Sequence, residues 1–107
     1  MKQADILQPE TELKIDLLKI RKSSLIVRAL NHKLRVQIIK MIHDNHRIRV
    51  TEIYKKMNLE QSVASQHLSI LRNAGFVSTE RDGKSIFYSI NYNKLKLLNS
   101  FLQNVLN

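Results

Sequence analysis

VTEIYKKMNLEQSVASQHLSILR, residues 50–72, reads as helix, tight turn, helix. Ile53 and Met57 put apolar side chains on one face of a short first helix, and Ala64, Leu68 and Leu71, at spacings of four and three, do the same for a second. Met57-Asn58-Leu59 lies between them. Asn is one of the few residues other than Gly that takes the left-handed conformation at low cost, so Asn58 is suited to end the first helix and turn the chain sharply. The pattern is that of a helix-turn-helix.

The second helix has another face, and its composition points to a function. At about 100° per residue, Gln61, Ser62, Ser65, Gln66, Ser69 and Arg72 fall on one side, away from the Ala64/Leu71 stripe. That side is short, polar and free of carboxylates. Gln bonds adenine through two atoms, Ser donates to or accepts from several base edges, and Arg suits guanine or phosphate, so the face is equipped to read a major groove. A merely solvated helix face usually carries Glu and Lys instead.

Composition narrows the class. The chain has 107 residues, 43% of them apolar, with 2 Gly and 1 Pro, which implies one helix-rich domain. Its 18 basic and 9 acidic residues give a formal charge of +9, and so large an excess points to a polyanion, nucleic acid first. No apolar run is long enough to cross a bilayer, and MKQADILQPE lacks the basic-then-apolar order of a signal peptide, so a cytoplasmic location is expected. With no Cys, disulfides, thiol sensing and thiolate metal sites are excluded.

Working back toward the start, residues 1–8 are expected to fray, and Pro9 suits a first helical turn with Glu10 and Glu12 near the positive end of the helix dipole. Leu13, Leu17, Ile20 and Val27 then line one stripe of a helix that breaks near Leu30-Asn31. Asn31 is a candidate N-cap for a second helix, whose apolar face is Leu34, Ile38, Met41 and Ile42 and which Asp44-Asn45 ends. Between Asp16 and Asp44 no acidic residue occurs, whereas Lys19, Arg21, Lys22, Arg28, Lys33, Arg35 and Lys40 all do, an asymmetry that offers phosphate contacts.

Working forward, Gly75 is a candidate helix C-cap after Asn73-Ala74. Two strand-like runs, Phe76 to Thr79 and Ser85 to Ile90, then flank Arg81-Asp82-Gly83-Lys84, and Asp-Gly between such runs signals a hairpin. A hairpin directly behind a recognition helix is the wing of a winged helix. Arg81 and Lys84 flank its tip, within reach of phosphates or a minor groove. Ile48 to Val50 can add a third short strand. A last helix starts near Tyr92 and carries an apolar seam of Leu95, Leu98, Leu102 and Val105, with Phe101 beside it.

The expected fold is therefore mainly α: about five helices plus a two- or three-stranded wing, in one domain over residues 1–107. Residues 50–74 form its helix-turn-helix and 76–90 its wing. Two terminal helices with apolar stripes, 9–30 and 92–107, exceed what a small winged helix needs for its own core. A symmetric dimer would bury Leu13, Leu17, Ile20, Leu95, Leu98, Phe101, Leu102 and Val105 and set two recognition helices about one DNA turn apart.

From Leu30 to Ile90 these residues resemble the ArsR (ArsR/SmtB) family of small winged-helix transcriptional regulators. The likeness is densest in Leu34-Arg35 with Ile38-Ile39, in Leu59 to Leu68 with Leu71 to Val77, and in Arg81 to Tyr88. The resemblance implies a cytoplasmic homodimer joined by its terminal helices, which binds a partly palindromic operator and usually represses transcription. It also implies DNA contacts at Val50, Gln61, Ser62, Ser65 and Gln66. Glu60 stands where the family usually has a Ser N-cap, Tyr54 where a small Ala is usual, and Asn31-His32-Lys33 where an Asp-Pro helix start is usual. The cysteines or last-helix Asp/His/Glu clusters of the family's metal sensors have no counterpart here, so no metal, no cofactor and an unknown effector are expected.

Four histidines remain. His43 and His46, with Asp44 between them, could form half of a zinc site, although histidines at a helix end more often meet carbonyls or solvent. His67, toward the inner side of the recognition helix, suits a scaffold hydrogen bond, and His32 carries no specific signal. No nucleophile, base and orienter converge as an enzyme would require. The rival reading is a winged-helix module that docks on a protein or RNA partner, since a fold does not fix a function.

Overall fold

The computed structural model describes residues 13–107. The chain runs α1 (Leu17–Leu30), α2 (Lys33–Asn45), β1 (Ile48–Arg49), α3 (Val50–Lys56), α4 (Gln61–Asn73), β2 (Val77–Asp82), β3 (Ser85–Ile90) and α5 (Tyr92–Leu106). The strands form one antiparallel sheet in the order β1-β3-β2. Helices α3 and α4 are the helix-turn-helix, and β2 with β3 is the wing.

Two helix boundaries differ from expectation. The expected start at Pro9 and the frayed residues 1–8 lie outside the described residues, but Leu13 to Asp16 are not helical and α1 begins at Leu17. Asp16 sets that start, its carboxylate accepting the Lys19 N–H at 3.0 Å. Asn31, expected to open α2, instead closes α1 by donating its N–H to the Arg28 carbonyl at 3.1 Å. An N-cap needs an extended backbone and a side-chain acceptor, and His32 supplies both: φ −158°, ψ 126°, with Nδ1 accepting the Leu34 N–H at 3.1 Å.

The core gathers one stripe from each element: Ile38 and Ile42 of α2, Ile48 of β1, Ile53 of α3, Ala64, Leu68 and Leu71 of α4, then Phe76, Val77 and Ile90. Helices α3 and α4 end in the same way. Asn58 takes φ +54° and Gly75 φ +87°, and in each case the next residue reaches back to a carbonyl five positions earlier, Leu59 to Tyr54 at 2.9 Å and Phe76 to Leu71 at 3.0 Å. This doubled-back hydrogen bonding is the Schellman motif, and it fixes the direction in which the chain leaves each helix.

The third strand is shorter than expected. Val50 opens α3 instead of extending β1, because Arg49, with φ −75° and ψ 147°, already serves as the N-cap and Glu52 occupies the favourable first turn. The wing is longer than expected. Asp82 pairs with Ser85, so Arg81 and Asp82, expected in the connection, belong to β2 and the loop is Gly83-Lys84 alone. Gly83, at φ +65°, stands first in the loop, as a type II′ turn requires.

Asn91 straps α5 to the end of α4. Its side-chain oxygen caps the Lys94 N–H at 3.3 Å, its amide donates to the Gly75 carbonyl at 2.9 Å, and its backbone N–H donates to Phe76 at 2.9 Å. Leu95 and Leu98 consequently pack against the core of their own chain.

Candidate nucleic-acid interface

Burying Ala64, Leu68 and Leu71 fixes the roll of α4 and turns the opposite face outward. Gln61, Ser62, Ser65, Gln66, Ser69 and Arg72 are all exposed. At the front of the helix Glu60 holds the N-cap position with an extended backbone, φ −66° and ψ 147°, but its side chain makes no capping bond. The first N–H groups of α4 therefore point outward without a side-chain acceptor. Val50 is half-buried and packs against the core.

The two sides of the wing differ in charge. Alternate strand residues face the same way, so Arg81 shares a side with Thr79 and buried Val77, while Glu80 and Asp82 face the other side. On that other side Arg47 holds both carboxylates, Nε to Glu80 at 3.3 Å and a terminal nitrogen to Asp82 at 3.2 Å. Arg81 and Lys84 remain exposed.

One of the cations offered for phosphate contact is not available. Arg35 is buried: its Nε donates to the Ala29 carbonyl at 2.6 Å, one terminal nitrogen donates to the Arg28 carbonyl at 3.2 Å, and the other donates to His67 Nδ1 at 3.2 Å. It caps the end of α1 and ties it to α4. A signal for this existed in the sequence, since Arg35, Ile38 and Ile42 share the spacing of one buried stripe. Lys19, Arg21, Lys22, Arg28, Lys33 and Lys40 are exposed. His67 accepts the Arg35 bond and lies 4.7 Å, centroid to centroid, from the His32 ring. Its pKa is held below the ordinary histidine value, first by burial and then by the charges of His32 and Arg35.

Of the residues assigned to an interface between copies, Leu13, Leu17, Ile20, Phe101 and Val105 are exposed and Leu102 is half-buried. Leu97, which the seam reading passed over, is exposed as well. An open groove of about 840 Å³ runs along α1 and the residues just before it, lined by Ile15, Asp16, Lys19, Ile20 and Val27, with Phe101 its one α5 residue. His43 uses Nδ1 on the Tyr92 hydroxyl at 2.8 Å, and His46, at φ +62°, caps α2. No cluster of three or more metal-ligating side chains occurs among the described residues.

Residues 32–79, from the cap of α2 to the start of the wing, match the model of the bacterial regulatory protein arsR family. Over 77 residues the chain is 32% identical to the transcriptional activator HlyU of Vibrio cholerae, covering 72% of this chain and 70% of that protein. The chain belongs to the ArsR family. Over 90 residues it is 31% identical to a second relative, the transcriptional repressor PagR of Bacillus anthracis, covering 80% of this chain and 90% of that one. The structure of NolR from Sinorhizobium fredii superposes with a TM-score of 0.67 at 28% identity, covering 92% of this chain and 94% of the other. An ArsR-family chain is a DNA-binding regulator of transcription and not an enzyme. No helix among the described residues is long and apolar enough to cross a membrane.

Proposed function

We propose that this chain is one winged-helix domain that works in the cytoplasm as a homodimer, binds a partly palindromic duplex operator and represses transcription from it. The observation that carries this reading is the exposed face of α4, where Gln61, Ser62, Ser65, Gln66, Ser69 and Arg72 stand together without a carboxylate. In a major groove Gln61, Ser65 and Gln66 meet base edges, Ser62 and Ser69 add hydroxyls, and Arg72 meets a base or a phosphate. Arg81 and Lys84 clamp the backbone from the wing.

The dimer is supported by exposed apolar side chains on both terminal helices. Leu17, Ile20, Leu97, Phe101 and Val105 are each between 46% and 69% exposed, apolar surface that a second copy would cover. Relatives are named for both activation and repression. Repression by covering promoter DNA asks nothing of the protein beyond binding, which is why it is the reading proposed. No resident metal is part of the proposal, since the chain has no Cys and α5 carries no His, Asp or Glu.

Selection of genomic DNA fragments on the purified protein, followed by footprinting, tests the proposal. Two half-sites about one helical turn apart, held in a salt-sensitive complex that survives bulk competitor, are the expected result. Retention of RNA or of a protein in place of any preferred duplex would overturn it in favour of a docking module.

A further inference from the structure

We propose that the Arg35–His67 hydrogen bond is a pH-sensitive latch that holds the middle of the recognition helix, whose roll the core already fixes, against the α1–α2 corner, with Arg35 and His67 acting as positioning residues for the base-reading face. This rests on the operator reading above. His67 follows Ser65 and Gln66 directly and projects from the flank of α4 between its buried and exposed faces, toward the corner of α1 and α2. Through Arg35 it is joined to the Arg28 and Ala29 carbonyls, so one buried side chain connects the last turn of α1, the first turn of α2 and the middle of α4.

The bond has a defined protonation requirement. A guanidinium only donates, so Nδ1 of His67 must carry a lone pair and the ring must be neutral. Protonation removes the acceptor and sets a second positive charge 3.2 Å from Arg35.

The groups around His67 do not compensate that charge. The α2 side presents His32 and Arg35, both basic, and α1 presents backbone carbonyls that Arg35 already occupies. Helix α4 has no carboxylate, and its one cation is Arg72. Glu52, Lys55 and Lys56 of α3, the α1 cations Lys22 and Arg28, and Arg81 of β2 make no hydrogen bond or ion pair with the His67 side chain among the described residues, and the β2 carboxylates of Glu80 and Asp82 are held by Arg47.

The sign follows from linkage. Because the folded pKa lies below the free value of 6.5, the latch is complete above that value and is lost as pH falls through the lower folded one. Bulk electrostatics run the other way. Acidification makes any protein more positive and strengthens phosphate binding, so a loss of affinity in acid marks the latch.

His67→Gln keeps a side-chain oxygen for Arg35 but does not titrate. Duplex affinity of the wild type relative to His67→Gln should fall about fivefold as pH drops from about 7.5 through the His67 ring titration followed by NMR, the scale of one net hydrogen bond. In the free protein, the Ser65 and Gln66 amide signals should titrate together with the His67 ring in NMR spectra. A ratio that stays constant with pH, or amides that ignore the ring, would overturn the latch. If no duplex binds at any pH while those amides still follow the ring, the operator reading falls and the latch stands.

Discussion

The Arg47 guanidinium lies 3.5 Å above the centroid of the Phe87 ring, so the residue ahead of β1 is stacked on the middle of β3 while its nitrogens hold Glu80 and Asp82 of β2. All three strands meet at this one side chain. The ion pairs are exposed and contribute little, whereas the stack contributes about 0.5–1 kcal/mol. Arg47→Ala should lower stability by about 1 kcal/mol in urea titrations and speed amide exchange in the wing. Arg47→Lys should recover less than half of that, because a point charge cannot reproduce the planar fork. Equal stability of all three proteins would mean that the stack holds nothing.

The dimer proposal now has a sharper test than the leucine repeat suggested. Leu98 packs on its own core, so a charge there should unfold the chain. Leu97 and Phe101, 69% and 46% exposed, should tolerate Glu in the monomer and reject it between copies. Sedimentation at micromolar concentration should find a dimer for the wild type and a monomer of unchanged helix content for the double Glu variant, with operator affinity lost alongside. A monomeric wild type would refute the dimer.

Readers and clamps should separate by salt and by sequence. Gln61→Ala or Gln66→Ala should lose about 1–3 kcal/mol at the operator and relax preference there, leaving nonspecific binding nearly intact. Arg81→Ala removes about two phosphate contacts per dimer, so the slope of log affinity against log salt should become shallower by about 2. If Gln66→Ala weakens operator and random DNA equally, or Arg81→Ala changes the preferred sequence at an unchanged slope, the two roles have been exchanged.

Zinc, cobalt or nickel should leave operator binding unchanged near one equivalent per subunit. The chain has no thiolate and α5 has no His, Asp or Glu. Release of DNA at one equivalent in a binding titration would refute this and bring forward His43 and His46.

Legibility in the sequence tracked the range of the interactions. The helix-turn-helix could be read because Asn58, Gly75 and the 64/68/71 stripe act within a few residues, where spacing and turn chemistry decide the conformation. The exposed Ser/Gln face followed from the same periodicity. Boundaries were missed where two residues competed for one role, as His32 took the cap expected of Asn31 and Asp16 started the helix expected at Pro9. Arg35 and Arg47 were missed as structural groups because their partners lie on other elements: His67, 32 positions away, for Arg35, and Glu80 and Asp82, 33 and 35 positions away, for Arg47. Charge counting treats such arginines as surface; the spacing of Arg35 with Ile38 and Ile42 marks it for burial, whereas nothing near Arg47 in the chain announces its stack.

Helix α4 is fastened unevenly. Its rear is locked by the Phe76 turn and the Asn91 strap, whereas its first turn, where Gln61 and Ser62 sit, has no side-chain cap. On the proposed operator that uncapped turn is the one that meets the DNA, and its first N–H groups, without a side-chain acceptor, are left to bond a phosphate or a base edge. A better cap at residue 60 would make the helix more stable while withdrawing those donors from the DNA.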